Sequence, residues 1–256
     1  MAMAEEKRPL ISVRRIRKSF GGVVAVNDLS FDLNEGEVLG LIGPNGAGKT
    51  TIVNTITGFT KPDSGEVLFR NKKLSGLPPY KVAELGVTRT FQIVRPYPSL
   101  RAYKSLIVPL WSPRARRFAG SRGGDRDAVA IDLLEEVGFE RDAYVPYKFA
   151  SALPLGYLKR LELARCLALR PEVIICDEVF SGLSMSEIAS MVPLMERLRM
   201  SGVTLLMIEH RLRELFSVAD RVVVIDFGVK IAEGEPEQVM RDQKVRRAYL
   251  GEETEL

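Results

Sequence analysis

The stretch that decides the fold is residues 43–50, Gly43-Pro44-Asn45-Gly46-Ala47-Gly48-Lys49-Thr50. It matches the pattern G-x-x-x-x-G-K-[ST] at every fixed position. The glycines allow a tight turn whose N–H groups point into one concavity, and a helix beginning near Lys49 adds its positive dipole end. Lys49 is placed to reach the β- and γ-phosphates of a nucleotide, and Thr50 to put its hydroxyl on Mg²⁺. The stretch predicts a nucleotide-binding loop, to which Thr51 is also assigned.

The residues on either side of this loop favour the same interpretation. The apolar run "EVLGLIG" before it suits a buried strand, and "TTIVNTITGF" after it has helical apolar spacing. A chance glycine-rich turn is the alternative. The order strand, loop, helix favours the nucleotide-binding loop over the chance turn.

Composition narrows the classes of protein. The chain has 256 residues, of which 46% are hydrophobic, and its net charge is +4. A packed interior is therefore expected and long-range disorder is not. Basic and acidic residues alternate, so no nucleic-acid partner is indicated. The local basic excess within 114–126 is interpreted as a solvated loop, with contact to anionic lipid headgroups as the alternative.

Cysteines and apolar runs give two further expectations. Cys166 and Cys176 lie in apolar periodic stretches, which favours reduced core thiols over a disulfide. No apolar run approaches the roughly 18 residues of a membrane span, and the first ten residues lack the apolar centre of a signal peptide. Any membrane role is expected to depend on a partner.

The order of predicted elements gives the fold class. Short β-prone runs over 11–43, broken at Gly21-Gly22, Asn27-Asp28 and 34–36, predict an antiparallel meander. Proline-punctuated helical segments fill 94–152. Helices and strands then alternate from 153, which predicts a parallel sheet. Pro193 lies inside one predicted helix, which should start late or kink there.

Polar side chains follow three of the predicted strands. Asp177 and Glu178 end the buried run 173–176, and we expect Asp177 to hold Mg²⁺ through its water shell and Glu178 to act as general base. His210, the one histidine, follows a second strand and is placed to stabilise transition-state charge. Gln92 ends a third strand, where its amide could ligate Mg²⁺ or orient water. Each could also be an ordinary loop residue.

These motifs occur in an order that resembles an ABC-transporter ATP-binding subunit. The resemblance rests on the loop at 43, "GVTRTFQ" ending at Gln92, a helical insertion, "LPLGYLKRLELARCLA" from 153, "VIICDE" from 173 and "IEH" ending at His210. It covers nearly the whole chain. With the "AYLGE" tail, it is nearest to the subunits of branched-chain amino acid importers.

The resemblance implies one ABC nucleotide-binding domain over 1–256. Its fold would be α/β: a P-loop NTPase core of mostly parallel sheet (9–93 and 153–256) with an N-terminal antiparallel β subdomain, and a helical subdomain over 94–152. ATP and Mg²⁺ are the implied cofactors. The implied partners are membrane permease subunits, a second ATP-binding subunit and, indirectly, a solute-binding protein. The implied location is peripheral, on the cytoplasmic face of the inner membrane.

The resemblance also assigns roles to single residues. Phe20, which the residues alone leave open between stacking on a base and filling the core, is implied to stack on adenine. Glu178, Gln92 and His210 match the catalytic base, the Q-loop and the switch histidine. The signature, which completes the partner's ATP site, would be the segment Leu153-Pro154-Leu155-Gly156-Tyr157.

Three motifs depart from the family pattern. The signature L-S-G-G-Q keeps only Leu153 and Gly156, Val179 replaces the proline after the glutamate, and Ser184 replaces an aspartate. We therefore expect a heterodimer whose partner carries a fuller signature, with a homodimer as the alternative. A lipopolysaccharide-type exporter subunit also remains open, as does a soluble P-loop GTPase or kinase. An ABC ATPase of DNA repair or translation is disfavoured, because long heptads and a second cassette are absent from the sequence.

Overall fold

The computed structural model describes residues 8–118 and 125–250. Its strands form two sheets. In chain order they are β1 Pro9–Phe20, β2 Val23–Asn34, β3 Val38–Ile42, β4 Ser64–Phe69, β5 Lys72–Lys73, β6 Val87–Arg89, β7 Val173–Asp177, β8 Thr204–Ile208, β9 Arg221–Asp226 and β10 Val229–Gly234. The smaller sheet has the order β2-β1-β4-β5 and the larger one β10-β9-β3-β8-β7-β6.

Helices cover the larger sheet and fill the segment between β6 and β7. In chain order they are α1 Lys49–Ile56, α2 Pro79–Leu85, α3 Ile107–Leu110, α4 Pro113–Phe118, α5 Arg126–Glu136, α6 Leu155–Leu167, α7 Met185–Met200, α8 Leu212–Phe216, α9 Pro236–Val239 and α10 Gln243–Leu250. Short 3₁₀ turns lie at Tyr103–Leu106, Val145–Tyr147 and Ala150–Ala152.

The larger sheet is parallel through five strands and antiparallel only at β10. Every residue of β3, β7 and β8 is buried, because both faces of the sheet are covered. One face packs against helices that include α6 and α7, and the other packs against α1 and the smaller sheet. The carboxyl ends of these three strands lie at one edge, where the P-loop, Glu178 and His210 follow. The predicted α/β class with a mostly parallel sheet is confirmed.

The N-terminal sheet is antiparallel, as predicted, but it has fewer turns. Gly21-Gly22 joins β1 to β2, whereas the expected break at Asn27-Asp28 is wrong. There β2 continues through a register shift against β1, and Asp28 adopts a positive φ of 52°. An irregular pairing absorbs the extra residue without reversing the chain. The residues after 36 then leave this sheet and form β3 of the larger one.

Three other expectations are corrected. Helix α7 begins at Met185 and continues through Pro193 without a break, aided by a capping box in which Ser184 and Glu187 exchange hydrogen bonds. Arg114, assigned to a solvated loop, is buried and paired with Glu172 at 3.0 Å. Gln92 lies three residues beyond the end of β6 rather than on it. Arg122 falls outside the described residues.

Two apolar clusters form the core on opposite sides of the larger sheet. Cys166 and Cys176 are buried in this core as free thiols, as predicted. Burial raises the pKa of Cys166 to about 12 and that of Cys176 well above its usual value. In the described part of the chain, no helix is both long and apolar enough to cross a membrane.

Candidate functional site

A cavity of about 320 Å³ opens where the strand ends meet. Its lining combines the P-loop with residues that follow three other elements. The lining residues are Ala25, Asn45, Gly46, Ala47, Gly48, Lys49, Thr50, Thr51, Gln92, Glu178 and His210. All of them except Ala25 were named from the sequence. Residues far apart in the chain are brought together because parallel strands end at the same edge.

The P-loop needs its glycines for steric reasons. Gly48 precedes α1 with a φ of 102°, and a Cβ there would lie 2.4 Å from the carbonyl oxygen of Ala25. Only glycine tolerates both that conformation and that approach. The Lys49 ammonium lies beneath the loop and donates to the carbonyl oxygens of Gly43 and Pro44, at 2.7 and 2.9 Å. Burial lowers the pKa of Lys49, and the charges of Glu178 and Asp177 oppose that effect.

Glu178 is the centre of the polar contacts in the cavity. Its Oε2 accepts a hydrogen bond from Gln92 Nε2 at 2.8 Å, and its Oε1 lies 3.1 Å from His210 Nε2. The backbone of Glu178 has a φ of 51°, a left-handed conformation that is unusual for this residue type. Its N–H donates to the carbonyl oxygen of Ile208 at 2.9 Å, which helps to hold that conformation. Gln92 and His210, the other two residues assigned catalytic roles, thus both contact Glu178.

Asp177 does not line the cavity. Its carboxylate forms an ion pair with Arg89 at 2.7 Å, and each of these side chains is 7% exposed. Burial raises the pKa of Asp177, while the charge of Arg89 and its hydrogen bond oppose the rise. Arg89 lies in the "RTFQ" stretch, but the sequence alone gave it no role. A single arginine at a strand end has no sequence pattern that would predict its burial or its pairing with Asp177.

Thr50, Gln92 and Asp177 suit a magnesium ion as a set. They offer a hydroxyl, an amide oxygen and a carboxylate, all hard oxygen ligands. Mg²⁺ in such sites keeps several waters and binds substrate phosphates, so it needs few protein ligands. Within residues 8–118 and 125–250, no group of three or more His, Cys, Asp or Glu side chains is arranged to hold a metal by itself. The donor set fits an ion shared with phosphate.

Glu209 is a buried acid that the sequence analysis left without a role. It is 2% exposed, and its Oε1 accepts a hydrogen bond from the Phe180 N–H at 3.0 Å. Burial, with a smaller contribution from the nearby charge of Glu178, raises the pKa of Glu209 to about 7. Glu209 therefore fixes the turn after Glu178 from the neighbouring strand end.

Phe20 and the signature segment lie outside the cavity lining. Phe20 is 52% exposed at the end of β1, so the alternative that it fills the core is wrong. The Lys18 ammonium lies 5.3 Å from the centre of its ring.

The signature segment starts α6, with Pro154 as the residue before the helix and no side-chain cap. Leu155 is 41% exposed, whereas Leu153 and Gly156 are buried. The Tyr157 side chain is engaged in contacts within its own chain. Its hydroxyl donates to Glu140 at 2.5 Å, and its ring packs on Phe139.

The C-terminal helix α10 contacts the P-loop through Tyr249. Tyr249 packs against the core, and burial raises its pKa to about 12 against the effect of a hydrogen bond with the Gly43 backbone. The "AYLGE" tail was noted in the sequence only as part of the resemblance. Its contact with the first glycine of the loop depends on the tertiary structure.

The sequence of the chain matches a profile of the ABC transporter family over residues 26–181. The chain belongs to the ABC transporter family. A second profile, for the branched-chain amino acid ATP-binding cassette transporter, matches residues 229–255. It is therefore an ATPase subunit of the ABC type, as the resemblance in the sequence implied.

Curated ABC relatives match along almost the full chain. The high-affinity branched-chain amino acid transport ATP-binding protein LivG of Escherichia coli K12 is 39% identical, over 96% of this chain and 99% of LivG. BraF of Pseudomonas aeruginosa, with the same description, is 37% identical over 96% and 99%. The lipopolysaccharide export system ATP-binding protein LptB of Haemophilus influenzae is 31% identical over 96% and 99%.

Solved ABC cassettes share the fold. A nucleotide-free ATP-binding cassette from an ABC transporter superimposes with a TM-score of 0.82, at 30% identity over 96% of this chain and 100% of that one. The ADP conformation of an ATP-binding cassette gives a TM-score of 0.81 at 31% identity, over 96% and 100%. The predicted ABC ATPase fold is confirmed.

Proposed function

We propose that this chain hydrolyses MgATP to drive uptake of branched-chain amino acids through a membrane permease, on the cytoplasmic face of the inner membrane. The observation that carries the chemistry is the meeting of the P-loop, Gln92, Glu178 and His210 in one cavity. The solute is supported by the descriptions of LivG and BraF and by the match of the tail at 229–255. The exporter alternative has weaker support, since LptB is 31% identical.

In this proposal the P-loop holds the phosphates of ATP. Its N–H groups and Lys49 surround the β- and γ-phosphates, and the exposed ring of Phe20 stacks on adenine. Thr50, Gln92 and Asp177 would hold Mg²⁺, directly or through its waters, and the ion would stabilise negative charge on the transferring phosphoryl group. To contact that ion or its waters, the Asp177 carboxylate would have to do so while it remains paired with Arg89.

The proposed hydrolysis step uses the three residues in contact. Glu178 removes a proton from the attacking water, as general base. Gln92 orients that water through its amide, and the His210 imidazole donates to the charge that develops on the phosphoryl oxygens. The mutual contacts at 2.8 and 3.1 Å support this assignment, because they hold the base between its two partners.

A second concavity supports a permease-facing surface. It is a cleft of about 740 Å³ between the larger sheet and the helical segments, and it adjoins the Q-loop. Its walls include Tyr97 (39% exposed), Val108 (63%) and Tyr80 (62%). Trp111 and Leu100 are exposed nearby, whereas Tyr103 is half-buried against the core. We propose that 94–152 acts as a helical subdomain against the core formed by 9–93 and 153–256.

We further propose a head-to-tail heterodimer. In such a dimer the signature of one subunit completes the ATP site of the other. Pro154 has neither a hydroxyl nor a backbone N–H, and the Tyr157 side chain is engaged with Glu140. This chain would complete its partner's site poorly, while its own Lys49 and Glu178 line the faster site. A solute-binding protein would act only through the permease.

The test is transport by a strain that lacks this chain. Plasmid-borne wild type should restore uptake of radiolabelled leucine, and a tagged copy should co-purify with a permease from membranes. Lys49→Ala should fail to restore uptake, and Lys61→Ala, at an exposed position outside 94–152, should serve as the matched control. Co-purification without leucine uptake would refute the solute. If the chain is expressed but gives neither leucine uptake nor co-purification with a permease, the transport role is refuted.

A further inference from the structure

Helix α6 carries two buried ionisable side chains one turn apart. Lys159 is 4% exposed and Glu162 is 5% exposed. Residues at i and i+3 lie on the same face of a helix, so both side chains leave α6 in one direction. That face meets the segment 91–95, which contains Gln92.

The two side chains bind opposite kinds of backbone group in that segment. The Lys159 ammonium donates to the carbonyl oxygen of Gln92 at 3.1 Å. The Glu162 carboxylate accepts from the N–H of Phe91 at 3.0 Å and from that of Arg95 at 3.4 Å. The segment lies outside regular secondary structure, so these charged groups replace the hydrogen bonds that a strand would have supplied.

Lys159 makes a second contact that joins two parts of the site. The same ammonium donates to the carbonyl oxygen of Glu178 at 3.0 Å. One cation thus bridges the backbones of the two residues whose side chains meet at 2.8 Å. The bridge fixes their spacing from beneath, where neither Lys159 nor Glu162 lines the nucleotide cavity.

A buried charge at this position is costly unless its neighbours compensate for it. Burial lowers the pKa of Lys159, and the carboxylates of Glu162, Glu209, Glu178 and Asp177 oppose that effect. A methionine would fill the same space without removing a charge from water. What the lysine adds is therefore a pair of directed hydrogen bonds to two backbone carbonyls.

We propose that Lys159, together with Glu162, is a positioning residue that sets the contact between Gln92 and Glu178. The inference rests on the proposed roles of those two residues in hydrolysis. Lys159 touches no reacting atom and acts only through the backbones it holds. Because α6 begins in the signature segment, Lys159 also connects that segment to the backbones of Gln92 and Glu178.

The experiment is a double-mutant cycle on the complete chain. Lys159→Met should lower kcat for MgATP by about 10- to 100-fold, the size expected for a displacement of the reacting groups by about 1 Å. Nucleotide Kd, measured with a fluorescent ATP analogue, should stay within about threefold. Lys159→Arg, which keeps a cation with several donors, should recover most of kcat. Lys148→Met is the control on an exposed lysine.

The cycle is completed in a Gln92→Ala background. There Lys159→Met should lower kcat by no more than about threefold, because the Gln92 side chain, whose contact with Glu178 it sets, is gone. Hydrogen exchange at the amides of 91–95 should accelerate in Lys159→Met and in Glu162→Gln, while exchange in β7 stays slow. If Lys159→Met does not fold, Lys159→Gln takes its place in the cycle.

The outcomes separate this inference from the proposed function. Equal losses of kcat from Lys159→Met in the wild-type and Gln92→Ala backgrounds would overturn the positioning role. So would a parallel loss of nucleotide affinity, or unchanged exchange at 91–95. If Glu178→Gln and Gln92→Ala both hydrolyse ATP at the wild-type rate, the roles of Gln92 and Glu178 fail first, and the inference fails with them.

Discussion

Arg89 and Asp177 form an ion pair of 2.7 Å in which neither side chain is more than 7% exposed. Arg89 also donates to Asn54 of α1 at 2.7 Å, and its guanidinium lies 4.7 Å from the centre of the Phe91 ring. It lines the 740 Å³ cleft as well. Arg89 thus connects three parts of the structure: the cleft, the helix after the P-loop, and Asp177, whose carboxylate we propose as a ligand of Mg²⁺.

The first prediction concerns that ion pair. Arg89→Met should lower the free energy of unfolding by about 3–5 kcal/mol, because it leaves a buried carboxylate without its partner. The double variant Arg89→Met with Asp177→Asn should regain most of that loss. Urea denaturation at pH 7 measures both values. A loss below about 1 kcal/mol in Arg89→Met would mean that water reaches Asp177 and solvates its charge.

The second prediction separates binding from hydrolysis. Lys49→Ala should abolish nucleotide binding, because the phosphate charge is then met by backbone dipoles alone. Glu178→Gln should bind ATP normally and turn over slowly, since it keeps its size and loses the base. Binding is measured with a fluorescent ATP analogue and turnover by phosphate release. An equal loss of binding in both variants would contradict the assignment of Glu178 as the base.

The third prediction is a pH dependence of stability. The pKa of Glu209 is raised from 4.5 to about 7 in the folded state, mainly by burial. The folded chain therefore binds this proton more tightly than the unfolded chain does, and the Glu209 contribution to stability is lost as pH rises from about 4.5 to 7.

Glu209→Gln keeps an acceptor for the Phe180 N–H and removes the titration. The difference in unfolding free energy between this variant and the wild type should therefore change by about 3 kcal/mol between pH 4.5 and 8, in favour of the variant at high pH. Asp177, whose pKa is also raised, titrates in both proteins and cancels in the difference. Parallel stability curves for the two proteins would refute the buried, protonated state of Glu209.

The fourth prediction concerns the altered signature. A γ-phosphate hydrogen bond of the charged kind, worth about 1.5–3 kcal/mol, is missing at Pro154. Restoring it with Pro154→Ser and Leu155→Gly should raise ATP turnover of the assembled transporter, by up to about 100-fold at the partner's site. Leu155→Gly alone is the control, because it opens the helix start without adding a hydroxyl. No gain from the double change would mean that Pro154 and Leu155 are tolerated variations.

The proposed asymmetry between the two ATP sites gives a companion measurement. Glu178→Gln in this chain should stop most of the steady-state hydrolysis, because it removes the base from the faster site. The equivalent change in the partner should have a smaller effect. Near-normal turnover with Glu178→Gln here would refute the heterodimer proposal.

The sequence by itself was sufficient for the parts of the site that depend on local geometry. The loop at 43–50 needs glycine at position 48 because φ is positive there, and the glycine pattern can be recognised in the sequence without knowledge of any tertiary contact. Continuous apolar runs identified β3, β7 and β8 as buried parallel strands, and their shared edge then placed Glu178 near His210. These inferences follow from chain geometry that each segment carries on its own.

Only the tertiary structure decided which charges are buried and what they hold. Arg89, Lys159, Glu162 and Glu209 look like ordinary surface residues in the sequence, and α7 runs through Pro193 although that proline favours a break. Whether a buried charge is compensated, and what its burial costs, depends on neighbours that come from distant segments, such as Gln92 against α6 or Asp177 against β6. No local pattern encodes those neighbours, because each contact exists only after the sheet has brought the strand ends together.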